Sequence, residues 1–220
     1  LLLDSASHAV KGNLQPLMEA EKSLLASHVQ IIDAQVANPE RRAELKEKIK
    51  SLISDFGNLC RAIGVLGEAS PRALDAVASL GERMSVQVLT GVIESQGVAA
   101  QAIDSTEFVV TNAHYQNAHP DFEATRARAH AKLNPIFEKN VVPVTTGFIG
   151  ATPEGIVTTL GRGGSDYSAA ILGAVLPADD VWIWTDVDGV MTTDPRVVPT
   201  ARTLPEISYS EIAELAYYGA

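Results

Sequence analysis

Cysteine is nearly missing from this chain: Cys60 is the only one in 220 residues. No internal disulfide can form, which fits a reducing compartment. No cysteine–histidine spacing suggests zinc. No apolar run reaches the roughly 18 residues of a membrane span. Leu1-Leu2-Leu3 is too short for the apolar region of a signal peptide, and acidic Asp4 follows directly. Basic residues are scarce as well. Seventeen Lys and Arg against 27 Asp and Glu leave a formal net charge of −10, with a pI near 4.9. That argues against nucleic acid as a partner, since such a surface needs a basic patch. Anionic small molecules are not excluded, because one arginine can dominate a cleft. The expectation is a soluble, cytoplasmic protein with no membrane partner. Two phosphate-binding signatures are also absent. No Gly-Lys-Ser/Thr ends a P-loop, and the one glycine-rich turn has Asp166 where a dinucleotide fingerprint needs glycine.

Hydrophobic residues make up 46% of the chain, enough for a core in one large domain or two small ones. The first ~95 residues have helical periodicity. Leu14, Leu17, Met18, Leu25, Val29, Ile32 and Val36 form one apolar stripe. Leu45, Ile49, Leu52, Ile53, Phe56, Leu59 and Ile63 form a second, which places Cys60 in the core. Leu74, Val77, Leu80, Met84, Val88 and Val92 form a third. Asn38-Pro39 and Ser70-Pro71 supply caps and first-turn prolines, and Gly97 closes the last helix. Gly81 interrupts that helix at a cost of ~1 kcal/mol against alanine, so close packing or a nearby ligand is expected there. Beyond Gly97, strands are expected at 98–103, 107–110, 141–148, 155–160 and 181–187. Helices are expected from the Asp121 cap to about Lys139, over 166–176 and over 209–218. Alternating strands and helices imply an α/β fold with a mainly parallel open sheet sandwiched by helices.

The densest chemistry lies in Thr158-Thr159-Leu160-Gly161-Arg162-Gly163-Gly164-Ser165-Asp166-Tyr167-Ser168. An apolar run follows, so the order reads strand, tight turn, helix N-terminus. Uncapped N–H groups at a helix start attract anions. Arg162 can grip a carboxylate or phosphate with two parallel hydrogen bonds. A turn that merely joins strand to helix is the alternative. Trp184-Thr185-Asp186-Val187-Asp188-Gly189-Val190 follows another strand, and Thr192-Thr193-Asp194-Pro195-Arg196 comes next. Ligands of open α/β sheets bind beyond strand carboxyl ends. Thr185 and Asp186 are therefore candidates for a base or ribose, and Arg196 for phosphates. Asp188-Gly189 and Asp194-Pro195 read equally well as simple turns. Asp186, Asp188 and Asp194 lack the spacing of a calcium loop, and no protein-held metal is expected.

Together, GFIGATPEGIVTTLGRGGSDYSAA (147–170), WTDVDGVMTTDPRVVPTARTLPEISYSEIAELAYYGA (184–220) and Gly81-Glu82-Arg83-Met84-Ser85 resemble the catalytic domain of aspartate kinase, in the amino-acid-kinase superfamily. The resemblance implies a three-layer α/β/α fold, with residues 1–97 as a helical, substrate-side part and 98–220 as the α/β part. It implies ATP-dependent phosphorylation of the side-chain carboxylate of L-aspartate, the step that opens the lysine, threonine and methionine pathway. Arg162 would pair with the substrate α-carboxylate and Glu82 with its ammonium. Gly163, Gly164 and Ser165 would supply close backbone and hydroxyl contacts, and Asp166 would be the catalytic organiser. Thr185, Asp186, Met191 (often tyrosine in the family), Thr192, Asp194 and Arg196 would contact ATP, with Mg²⁺ held mainly by its phosphates. A homodimer is implied too.

The family's Lys-Phe-Gly-Gly phosphate element does not occur here, nor do its ligand-sensing ACT repeats. The expectation is an internal piece of a longer enzyme, poorly soluble and with little turnover by itself. Rival readings are another kinase of the superfamily, or a binding module that kept the fold.

Overall fold

The structure is a computed structural model and describes residues 1–184 and 189–218. The chain divides into two compact units, Leu1–Val181 and Trp182–Ala220.

The first unit begins with four helices: α1 (Leu2–Val10), α2 (Gln15–Gln35), α3 (Pro39–Leu66) and α4 (Pro71–Ser95). Their ends are set by local chemistry. The Asn38 side chain accepts from the Glu40 and Arg41 N–H groups at 2.8 and 3.1 Å. Pro39 follows at the first helical position, where its missing N–H is no loss. Gly67 ends α3 at φ 72°, its N–H bonded to the Ile63 carbonyl. Ser70 caps α4 by accepting from the Ala73 N–H at 3.2 Å. The apolar stripes then close on one another. Leu17, Phe56, Cys60, Val77 and Leu80 form one buried cluster, and Ile32, Leu45, Ile49, Met84 and Val88 a second. Each large apolar side chain so buried stabilises the fold by about 1.5–3 kcal/mol.

Helix α1 went unread in the sequence. Its wholly buried Ala6 and Ala9 join the first cluster, and it packs on α2, α3 and α4. It also accounts for Gly81. A Cβ there would stand 3.1 Å from Leu2 Cδ1, so close packing, not a ligand, occupies that face of α4.

The chain then builds β1 (Ala100–Ile103) and β2 (Val142–Thr145), paired in parallel with Ala100 opposite Val142. Between them runs α5 (Phe122–Phe137), started by Asp121, whose carboxylate accepts from the Glu123 and Ala124 N–H groups. Helix α4 packs on both strands and α5 on β2. Ile103, Phe108, Ala129, Leu133 and Val175 form the third cluster. A hairpin follows: β3 (Ile149–Ala151) and β4 (Val157–Thr159) are antiparallel, with Ile149 opposite Thr159. Helix α6 (Gly164–Val175) completes the unit.

The strand expected at 107–110 is not one. Asp104 accepts from both the N–H and the hydroxyl of Thr106, which turns Ser105–Glu107 into a 3-10 helix. Val110 keeps only a single bridge to Ala151. The strand expected at 141–148 is shortened to β2, and β3 begins just beyond its expected end. The sheet is also smaller than expected: among the described residues it is one parallel pair beside one antiparallel pair.

Of the strand expected at 181–187, residues 181–184 have no ladder partner among the described residues, and 185–187 lie outside them. Trp182 and Trp184 are 73% and 85% exposed. Met191 and Thr203 form an antiparallel bridge, extended by the Leu204 N–H on the Val190 carbonyl at 2.8 Å. Helix α7 covers Tyr209–Tyr218. No helix among the described residues is long and apolar enough to cross a membrane.

Candidate active site

Two elements of the first unit converge on a cavity of about 350 Å³. It is lined by Glu82, Phe148, Gly161, Arg162, Gly163, Gly164, Ser165 and Asp166. Helix α4 brings Glu82, and the turn after β4 together with the first residues of α6 brings the rest except Phe148. Every residue expected on the substrate side is therefore present at one place.

The turn has its shape for stated reasons. Gly163 is the N-cap of α6 at φ 73°, a left-handed conformation that suits glycine. Having no side chain, it leaves the first-turn N–H groups of α6 without a side-chain cap. These groups and the helix dipole make the spot attractive to an anion. At Gly164 the constraint is space. A Cβ there would lie 2.7 Å from Phe148 Cδ2 and 3.2 Å from Leu160 Cβ. The loop before β3 thus presses on the helix start, and Ser168 fastens it. Its Oγ accepts from the Phe148 N–H and donates to the Gly164 carbonyl, both at 2.8 Å.

Charge in the cavity is divided. Arg162 and Asp166 are exposed, whereas Glu82 is half-buried. Burial pushes the Glu82 carboxyl above its ordinary value, because a charge away from water is disfavoured until a partner arrives. The site thus offers one cation, a carboxylate lacking solvation and uncapped N–H groups. This set complements a molecule with both an ammonium and a carboxylate.

Phe148 and Ser168 were not singled out from sequence. The quoted block contains both, but neither residue type signals a site alone. Phe148 has φ 66°, a conformation uncommon outside glycine that is visible only in the fold. Asp75, also unread, is wholly buried on α4, the helix that brings Glu82.

The expected ATP contacts are in the second unit or outside the described residues. Thr185 and Asp186 are outside them. Met191 and Thr192 sit on the bridge strand, where the Thr192 N–H meets the Arg202 carbonyl at 2.9 Å. The Asp194 carboxylate takes the Arg196 guanidinium in a two-pronged pair, Nε at 3.0 Å and Nη2 at 2.7 Å. That pairing holds the Asp194 carboxyl below its ordinary range.

The chain as a whole is similar to known proteins. The profile of the amino acid kinase family matches residues 9–220. Aspartokinase of Schizosaccharomyces pombe is 36% identical over 217 residues, covering 96% of this chain and 41% of that protein. Lysine-sensitive aspartokinase 3 of Escherichia coli is 40% identical over 176 residues, covering 80% and 38%. The crystal structure of E. coli aspartokinase III in complex with aspartate and ADP superposes with a TM-score of 0.76 at 35% identity, over 89% of this chain and 48% of that one. The chain thus spans less than half the length of these relatives.

Proposed function

The chain belongs to the amino acid kinase family, and from that premise we propose that it carries the substrate site of an aspartate kinase. The reaction is phosphorylation of the L-aspartate side-chain carboxylate by ATP to give 4-phospho-L-aspartate, the first step toward lysine, threonine and methionine. One observation carries the reading: Glu82 and Arg162 share a single cavity at the start of α6. Arg162 takes the α-carboxylate in a two-pronged grip. Glu82 takes the ammonium and is thereby compensated for its burial. The side-chain carboxylate is left free as the nucleophile. It is already ionised at neutral pH, so no general base is needed. Its oxygen bonds to the γ-phosphorus as the bond from that phosphorus to the β–γ bridging oxygen breaks, and ADP leaves. Such transfers depend on alignment and charge neutralisation. Gly163, Gly164 and Ser165 hold the substrate by backbone and hydroxyl contacts. Asp166 organises the phosphate-binding groups rather than abstracting a proton.

The nucleotide contacts fall to Thr185, Asp186, Met191, Thr192, Asp194 and Arg196, on the family resemblance. ADP is present in the E. coli relative's structure, which supports ATP as the donor. Mg²⁺ enters held mainly by the ATP phosphates, in keeping with its reluctance to shed water. The open, mainly parallel sheet and a dimeric state belong to the same reading. The phosphate-binding Lys-Phe-Gly-Gly element does not occur in these 220 residues, so they alone turn over poorly.

The test is ADP release by the full-length protein with L-aspartate, L-glutamate and UMP, beside its Asp166→Ala form. Turnover with aspartate that collapses in the variant supports the reading. Turnover with glutamate or UMP instead assigns a different acceptor. Binding of ATP without any turnover favours a binding module.

A further inference from the structure

Asp75 lies outside the cavity and is 1% exposed. A buried carboxylate is a poor way to gain stability alone, because desolvation offsets most of what its partners return. Its partners are specific. Oδ2 accepts from the Thr159 N–H at 3.0 Å and Oδ1 from the Thr159 hydroxyl at 2.8 Å. The Gln116 N–H reaches both oxygens, at 3.1 and 3.0 Å. All three groups are donors, and an ionised carboxylate is the side chain that only accepts.

These donors belong to the two segments that support the substrate turn. Thr159 ends β4, two residues before Gly161. Gln116 lies in the polar loop 112–119, at φ 68°, a conformation uncommon outside glycine. The same loop is tied to β4 by the Ala118 N–H on the Thr159 carbonyl at 2.9 Å. It also abuts the turn. A Cβ on Gly161 would stand 3.0 Å from the Gln116 carbonyl oxygen and 2.7 Å from Asn117 Oδ1. Asp75 itself is on α4, about two helical turns before Glu82 and on the same face. One carboxylate therefore joins the helix that carries Glu82 to the strand and loop that aim Arg162.

We propose that Asp75 is a positioning residue for the acceptor: its carboxylate sets the spacing between α4 and the Gly161–Gly164 turn, so that Glu82 and Arg162 grip the two charged ends of one amino acid. The inference rests on the function proposed above. Acting through that spacing, Asp75 affects acceptor binding and leaves nucleotide binding alone.

The test uses the full-length protein with Asp75→Asn, Thr159→Val and Thr159→Ser, reading kcat, both KM values and the melting temperature. Asparagine keeps the shape but turns an NH₂ toward donors. KM for L-aspartate should rise about tenfold or more, with KM for ATP within about twofold. Thr159→Val deletes only the hydroxyl donor and should give a smaller rise of the same kind. Thr159→Ser keeps that donor and should behave as wild type. Equal rises in both KM values, or a lower melting temperature with KM for aspartate unchanged, would overturn the proposal. Should Asp75→Asn not fold, Thr159→Val decides: an unchanged KM for aspartate overturns it. Wild-type protein that uses another acceptor defeats the proposed function instead, and the same split is then read on that acceptor.

Discussion

Ser168 holds Phe148: its hydroxyl oxygen accepts the Phe148 N–H while its proton goes to the Gly164 carbonyl. One buried hydroxyl thus ties the loop before β3 to the first turn of α6. Replacing it with alanine leaves a backbone N–H without its partner. Ser168→Ala should lower stability by about 1–3 kcal/mol, read from denaturant midpoints at unchanged slope. Midpoints equal to wild type would show that the loop is held by other contacts.

Gly164→Ala tests the same junction by adding a carbon. The new Cβ meets Phe148 and Leu160 well inside ordinary contact distance. Strain of about 1–3 kcal/mol is expected, with a rise in KM for the amino acid as the turn shifts. A fully stable variant with unaltered KM would mean that the loop yields without effect.

Arg162→Lys keeps the charge and loses the planar fork. Arg162 is exposed, so the melting temperature should stay within a degree or two. KM for L-aspartate should rise about tenfold or more. Matching kinetics for the two proteins would show that a point charge suffices at that position.

Acidity should weaken substrate binding through Glu82. Burial raises its carboxyl pKa, so protonation begins at a higher pH than for an exposed glutamate. The protonated form has no charge to offer an ammonium. KM for aspartate should therefore climb as pH falls through that raised value, and the climb should vanish in Glu82→Gln. A profile identical in both proteins would assign the acid limb to another group.

Cys60 gives an alkaline counterpart. It is wholly buried, and desolvation pushes its thiol up to about 11. Its contribution to stability is full below the unfolded-state pKa and is lost as pH rises from there through the folded value of about 11. Stability should fall through this window less steeply in Cys60→Ala than in wild type. A neutral, buried thiol also reacts slowly, so labelling by a thiol reagent should track unfolding. Fast labelling of the native protein would contradict the burial.

The helical half was legible because its signals are local. Asn38, Pro39, Ser70, Pro71 and Gly97 punctuate the chain where the helices start and stop, and the apolar stripes run between them. The glycine-rich turn was legible for the same reason. Glu82 was not: beside Arg83 it looks like a solvated helix charge, and only the family motif marked it. Asp75 and Phe148 act through partners distant in sequence, and a hydrogen bond from Thr159 leaves no trace near residue 75. Helix α1 was missed because it is only nine residues long and its buried face of Ser5, Ala6 and Ala9 is built of small side chains rather than a stripe of large apolar ones. The 3-10 turn at Ser105–Glu107 displaced an expected strand because the Asp104 side chain competes locally for the backbone.

Both tryptophans of the chain, Trp182 and Trp184, fall in the second unit and are largely exposed. Indole fluorescence is thus blind to Leu1–Val181, while far-ultraviolet dichroism is dominated by the long helices of that unit. The two optical signals report on different parts of one polypeptide. Melting curves that coincide in both would mean that the parts unfold together, and curves that separate would time each one independently.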